Sequence, residues 1–212
     1  MRIEEAGVGV SGPSGERRPR RENTLLWGRA RIAQAALAVA MAFMLLAAFH
    51  DGNPRSTTSV IVVLLDVIMR FVAAIAWWVW MYRAYRNIQA LGHVPNHDAS
   101  RVVWSFLIPI ANWILPYQSM TEIWHKSRPV DGLPGDDFAP ATPLFLPLWW
   151  GFFFARTLSS SLGRISDGVT LFVFDVAFEV LGTLGAMYVL EQMTSRQEAA
   201  FEGSLSGAPQ TF

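Results

Sequence analysis

The chain has 212 residues, of which 52% are apolar and 16% are charged, whereas soluble domains of this size carry about 25% charged residues. The formal net charge is zero, so the composition gives no reason to expect nucleic acid as a partner. The absence of cysteine excludes disulfides, thiolate nucleophiles and cysteine-ligated metals. Because the apolar residues also fall in long blocks, the sequence predicts an all-α membrane protein.

A membrane domain is predicted over residues 25–195, between a disordered cytoplasmic tail at 1–24 and a polar cytoplasmic tail at 196–212. The first tail is rich in Gly, Pro, Ser and Arg and has too little apolar surface to offset the entropy cost of ordering. Four apolar segments are long enough for helices that cross a hydrocarbon core of about 30 Å. These four spans are predicted at about 32–50, 60–82, 143–162 and 168–190.

The segment 102–126 is apolar at first but is broken by polar residues and prolines. Its apolar part, 102–115, contains Pro109 and Asn112, and Pro116 follows directly. Apolar segments of about 10–14 residues are more often re-entrant or interfacial than spanning. We therefore predict a re-entrant or interfacial segment that ends in a short amphipathic helix, although an additional crossing stays open.

Arginines determine the predicted orientation in the membrane. Seven arginines precede the first span, and positively charged residues concentrate in cytoplasmic segments. If 102–115 does not cross, the loop from 83 to 142 is also cytoplasmic, and the external loops contain only Arg55 and Arg164. We predict a multi-pass protein of the cell membrane with both termini in the cytoplasm.

Rare residue types recur at fixed spacings after the second span. The pattern W-x-Y-R-A-x-R-N covers residues 80–87, and P-x-x-N-x-x-x-P-Y-Q covers residues 109–118. These motifs resemble those of a family of uncharacterised bacterial membrane domains, abundant in actinobacteria. The resemblance covers roughly residues 60–190 and implies a multi-pass domain without an assigned activity, so it identifies no catalytic residue. The motif residues at the cytoplasmic face are Arg83, Arg86, Asn87, Pro109, Asn112, Pro116, Tyr117 and Gln118.

The two motif arginines have two interpretations. Arg83 and Arg86 are three residues apart and therefore share a helix face just beyond the bilayer edge. In one interpretation they anchor the helix at lipid phosphates, beside an interfacial belt of tryptophans. In the other they bond backbone carbonyls freed by the prolines, since non-helical backbone at membrane depth must be satisfied by protein groups or water.

Five charged residues lie within the predicted spans: Asp66, Arg70, Arg156, Asp175 and Glu179. Low estimates for a charge at the centre of a membrane helix are about 2.5–3.5 kcal/mol, so these groups should face one another or water. We predict a polar network in which the two arginines neutralise Asp175 and part of the charge of the other two acids. One carboxylate is then in excess, and desolvation favours a protonated Glu179 in that place.

The network has two interpretations that the sequence leaves open. As polar glue it fixes the register of the helices, as interhelical polar contacts commonly do. Alternatively, it lines a water-filled external cavity for a proton, an ion or a small polar solute. The same face of the last span continues into Gly182 and Ala186, small residues that predict close helix packing.

No catalytic or metal-binding constellation is predicted. His93 and His97 have the spacing of a helical metal site, but Pro95 between them predicts a loop, and serines 159–161 lack a histidine base in the same span. We expect no enzyme activity, metal or cofactor. The leading prediction is a non-enzymatic envelope assembly or regulatory protein that contacts the bilayer and a membrane protein partner or a second copy. The alternative is a small transporter or channel component that uses the charged network.

Overall fold

The computed structural model of the chain describes residues 24–49, 56–108, 111–128, 141–163 and 169–206, and these residues are helical apart from short connections. The tail up to residue 23 and Pro109 lie outside the described residues. In chain order the elements are α1 (Thr24–Phe49), α2 (Thr57–Ala90), α3 (Ala99–Trp104), a 3₁₀ turn (Ser105–Leu107), α4 (Ala111–Lys126), α5 (Phe145–Gly163) and α6 (Val169–Ser206).

Three of these helices are long and apolar enough to cross a membrane. The stretches are Leu26–Phe49 in α1, Thr57–Ala90 in α2 and Phe172–Gly203 in α6. Large apolar side chains such as Ile61, Phe71 and Val173 are half or more exposed on them. Helices that turn so much apolar surface outward need hydrocarbon around them. The prediction of an all-α, multi-pass membrane protein is confirmed to this extent, whereas the fourth span is not.

Capping interactions begin and end α2. The hydroxyl of Ser56 accepts a hydrogen bond from the Ser59 N–H at 3.1 Å. At the other end Gly92 has a φ of 91°, a left-handed conformation that glycine adopts without strain. The N–H of His93 then bonds the Ile88 carbonyl at 3.1 Å, which satisfies a carbonyl of the last turn.

The elements α3, the 3₁₀ turn and α4 form a helical hairpin, called the hairpin below, against one end of the bundle. Its backbone is paired on both sides of the break, since Ile108 N–H bonds the Ser105 carbonyl and Asn112 N–H bonds the Ile108 carbonyl. The large exposed apolar side chains around the turn are Trp104, Leu107, Ile108, Trp113 and Ile114.

Helices α1, α2 and α6 extend beyond the spans predicted from the sequence, whereas α4 ends at Lys126 as predicted. Pro116 lies inside α4, whose following turns bury Met120 and Ile123. The residues from 196 to 206 are not a polar tail but the end of α6. There Gln197 and Phe201 are buried, so a sequence that looks polar has one buried face.

The buried core lies where the hairpin packs against the long helices. Trp80, Met81 and Tyr85 at its centre are at most 1% exposed. Trp77 stands at the edge of this core and packs against Trp149 of α5, with ring centroids 5.5 Å apart. The other buried apolar side chains include Leu26, Ala30 and Ala33 of α1, Met120 and Ile123 of α4, and Val189, Leu190 and Met193 of α6.

The close approach of α5 to α6 occurs at Gly185. A Cβ atom at this position would lie 2.9 Å from Cδ1 of Trp149, whereas one at Gly182 would have no atom within 4 Å. Ala186 is buried, but the prediction that Gly182 allows close packing is wrong, because its face of α6 borders open space. Two glycines one turn apart on the same helix therefore have opposite surroundings.

We predict that Gly185→Ala lowers the melting temperature in detergent, whereas Gly182→Ala leaves it unchanged or raises it. Both changes give the same gain in helix propensity, so their difference isolates the overpacking against Trp149, which costs about 1–3 kcal/mol. Thermal unfolding of the two variants and wild type measures it. Equal melting temperatures for the two variants would contradict the packing described at Gly185.

Candidate functional site

Four charged side chains from α2, α5 and α6 meet inside the bundle and are called the charge network below. Nε of Arg70 donates to both carboxylate oxygens of Asp66, at 3.1 and 3.0 Å. Nη1 of Arg70 donates to Oε1 of Glu179 at 2.7 Å. Arg156 pairs with Oε2 of the same glutamate. The side chains are between 14% and 33% exposed, so the pairs are largely shielded.

Glu179 is the acid shared by both arginines. The pairing of Asp66 with Arg70 follows from their spacing of four residues on one helix. The expected role of Glu179 as the excess carboxylate does not match its geometry, because each of its oxygens has a guanidinium partner. Asp175 lies one turn earlier on α6 and interacts electrostatically with Arg156. Which acid an arginine on α5 reaches depends on the rotation of the helices, and spacing within one helix does not determine this.

A cavity of about 350 Å³, called the central cavity below, adjoins the charge network. Its size is that of small-molecule sites, about 300–1,000 Å³. Helices α2, α5 and α6 each contribute to its wall one charged residue of the network and residues one and two turns away on the same helix face. On α2 these residues are Arg70, Ala73, Ala74 and Trp77. Rings and small side chains from α1, α2, α5, α6 and the hairpin complete the wall, among them Ala40, Trp78, Phe106, Trp149, Trp150, Phe153, Phe178, Gly182 and Ala186.

The wall of the central cavity combines charged groups, aromatic rings and an amide oxygen. Arg70 and Trp78 both line it, and the rise of a helix separates them by about 12 Å along α2. The hairpin residue Asn112 also lines the cavity, and its buried Oδ1 has no hydrogen-bond partner among the described residues. A buried amide oxygen of this kind is an acceptor for a hydroxyl or N–H donor. The chemistry of the wall therefore suits a largely apolar molecule that carries a hydroxyl or N–H donor.

Two motif residues connect helices rather than facing the cavity. Nδ2 of Asn87 donates to Oε1 of Gln197 at 3.2 Å, and Nε2 of Gln197 donates to the Ala84 carbonyl at 2.8 Å. Earlier on α2, the indole N–H of Trp80 donates to the Thr194 hydroxyl of α6 at 3.0 Å. These buried bonds join α2 to α6. Asn87 thus contributes to the pairing of α2 with α6.

The motif arginines have different surroundings. Arg83 lines a shallow groove on the outside of the bundle together with Arg29 of α1. Arg86 is exposed, and its guanidinium carbon lies 6.0 Å from the centre of the Tyr82 ring. A cation over an aromatic face at this distance is weakly favourable. Although they are three residues apart, the two side chains do not share one environment.

A buried glutamate on α4 holds the hairpin to α2, and the sequence analysis missed it. Glu122 accepts hydrogen bonds from Tyr85 Oη at 2.5 Å, from the Asn96 N–H at 2.6 Å and from Lys126 Nζ at 2.6 Å. Lys126 also donates to the Val94 carbonyl at 2.7 Å. The spacing of Glu122 and Lys126 on α4 was the available signal. The connection from α2 to α3 is thereby fixed through side chains.

The remaining motif residues, Tyr117 and Gln118, line a second pocket of about 470 Å³ beside Glu122. His125 lines it too, and burial, followed by Arg196 and Arg128, lowers the pKa of its imidazole. The ring is therefore neutral near pH 7, and its Nε2 lies 3.1 Å from the Thr142 hydroxyl. Among the described residues no group of three or more His, Cys, Asp or Glu side chains is placed to hold a metal ion.

Comparison with known proteins gives one match. The model of a family described as a domain of unknown function, DUF4328, matches residues 53–195, which is more than half of the chain. The resemblance to an uncharacterised family is thereby confirmed. No curated protein and no solved structure shows a significant match.

We predict that Glu179→Gln strongly destabilises the protein in detergent, since removing one partner of a shielded ion pair costs about 3–5 kcal/mol. The double variant Arg156→Gln/Glu179→Gln should recover part of the loss by removing the uncompensated cation. Additive losses in this cycle, measured as unfolding free energies, would contradict a direct Arg156–Glu179 pair.

Proposed function

The chain belongs to the DUF4328 family, whose function is unknown, and from its geometry we propose a non-enzymatic regulatory or assembly protein of the cell membrane that binds an apolar molecule in the central cavity. The observation that carries this proposal is the wall of the cavity. Every helix that is long enough to span contributes to it, as does the hairpin. A bound molecule would therefore contact all of them and bias their arrangement. The partner is a membrane protein or a second copy of this chain.

The proposed topology has four spans with both termini in the cytoplasm. α5 is 19 residues long, which at the helical rise is about 28 Å and matches a hydrocarbon core of about 30 Å. It packs against α6, as a fourth spanning helix would. The arginine distribution supports the orientation, with the hairpin on the cytoplasmic side.

Cysteine labelling tests the topology, since the chain has no cysteine of its own. In intact cells a membrane-impermeant maleimide should label Thr58→Cys and Arg164→Cys. It should label Gln89→Cys and Leu144→Cys only after permeabilisation. Labelling of Thr58→Cys together with protection of Arg164→Cys would mean that α5 does not cross the membrane, and the reverse pattern throughout would invert the orientation.

The polar groups of the central cavity support binding rather than catalysis. Glu179 is tied to two arginines and is a poor general base while it is paired in this way. Asn112 supplies an amide, which orients a ligand without transferring a proton. Recognition by rings, a hydrogen-bond acceptor and a compensated charge pair is typical of binding sites for apolar molecules.

Transport is the second candidate function, because three charged side chains of the charge network border the central cavity. Intramembrane acids and arginines mark many ion pathways. A proton or ion pathway would need a carboxylate that is released from its partners during each cycle. Wild-type proteoliposomes with a pH-sensitive dye distinguish the two candidates, and a flux above that of empty liposomes would favour transport.

We predict that Gly182→Leu abolishes ligand retention without loss of stability. A side chain at Gly182 extends into open space beside the cavity and would fill it. The matched control is Gly151→Leu, which also places a leucine at a glycine with no atom within 4 Å, but on the exposed face of α5.

Mass spectrometry of organic extracts measures retention in each protein after purification in mild detergent. A non-detergent molecule should accompany wild type and Gly151→Leu and be absent from Gly182→Leu, whose melting temperature should not fall. Identical extracts from all three proteins would refute the proposed role of the central cavity.

A further inference from the structure

A second surface of the bundle combines two cations with an apolar track. A groove of about 370 Å³, called the outer groove below, lies between α1, α2 and α3. Arg29 and Arg83 line it, and its other lining residues are Ile75, Trp78, Val79, Tyr82 and Val103. No acidic side chain is among the lining residues that the structure describes. The groove is thus cationic at one point and apolar elsewhere.

The two arginines lie at the same level of the bundle. Arg29 stands just before the apolar part of α1, and Arg83 just after that of α2. Both are half-buried, so their guanidinium groups are partly held by the protein surface and still reach solvent. In the described part of the chain no carboxylate pairs with Arg29. Arginine forks of this kind match the oxygens of a phosphate.

The apolar track runs from the arginines towards the middle of the membrane. Ile75 and Val79 are 54% and 48% exposed and are four residues apart, so they form one stripe on α2 below Arg83. From Arg83 to Ile75 the helix rises about 12 Å. Trp78 forms the back of the groove and packs against Phe106, with ring centroids 6.2 Å apart. An acyl chain suits this stripe, whereas a free phosphate ion would use only the arginines.

We infer that the outer groove binds one anionic phospholipid, with its phosphate between Arg29 and Arg83 and one acyl chain along Ile75 and Val79. A headgroup without an amine, such as that of phosphatidylglycerol, is preferred over phosphatidylethanolamine. The reason is that the lining residues within the described part of the chain include no carboxylate that could accept an ammonium group. The outer groove shares Trp78 with the central cavity but uses other cations, and the inference holds whether or not the central cavity binds a ligand.

Native mass spectrometry with competing lipids tests this inference. Wild-type protein in detergent is mixed with equal amounts of phosphatidylglycerol and phosphatidylethanolamine of the same chain length. Wild type should retain phosphatidylglycerol preferentially. Arg29→Gln and Arg83→Gln should each reduce its retention about fivefold, the equivalent of about 1 kcal/mol for a basic residue at an anionic membrane surface.

Two controls separate this site from general charge attraction. Arg86→Gln removes the same charge one turn along α2, but Arg86 does not line the groove, so retention should stay at the wild-type level. Val79→Trp obstructs the acyl track with both arginines in place, and it should reduce lipid retention as well. Circular dichroism and melting temperature verify that each variant is folded before it is compared.

Three outcomes would overturn the inference. Equal retention of the two lipids by wild type would remove the headgroup preference. An equal loss in Arg86→Gln and Arg83→Gln would indicate unspecific attraction of anions to the basic surface. Displacement of the lipid by inorganic phosphate, with no effect of Val79→Trp, would indicate an anion site that does not use the acyl chain.

Discussion

A charge inside hydrocarbon needs an opposite charge beside it, and in this bundle one carboxylate meets that need for two arginines. Because Arg70, Arg156 and Glu179 belong to three different helices, their pairing fixes how each helix is rotated about its axis. The residues three, four and seven positions away then face the same interior space. The aromatic lining of the central cavity is therefore a geometric consequence of the charge network.

At the hairpin end of the bundle a buried carboxylate is also stabilised, but by different groups. There Glu122 is buried among a phenol, a backbone N–H and an ammonium group, so a carboxylate is again satisfied by donors from several elements. Close by, the amides of Asn87 and Gln197 join α2 to α6. Polar contacts thus determine how the helices are arranged at the charge network and at the hairpin end. The apolar core packs between these two places.

Hydropathy was sufficient to predict α1, α2 and α6 as long apolar helices, because the length of an apolar run can be read directly from the sequence. The Asp66–Arg70 pair could be predicted from spacing within one helix. The shared role of Glu179 could not, since it depends on how α5 and α6 are rotated relative to each other. For the same reason Gly185, and not Gly182, marks the close approach of these helices.

The length of α6 has a mechanical consequence. With 38 residues it extends about 57 Å, nearly twice the thickness of a hydrocarbon core. Glu179 near one end and Phe201 near the other are carried on the same uninterrupted rod. A small tilt of α6 at the level of Glu179 is therefore a larger sideways displacement at Phe201. The far end of α6, where Phe201 packs with Leu91, would therefore move more than the level of Glu179 in any such tilt.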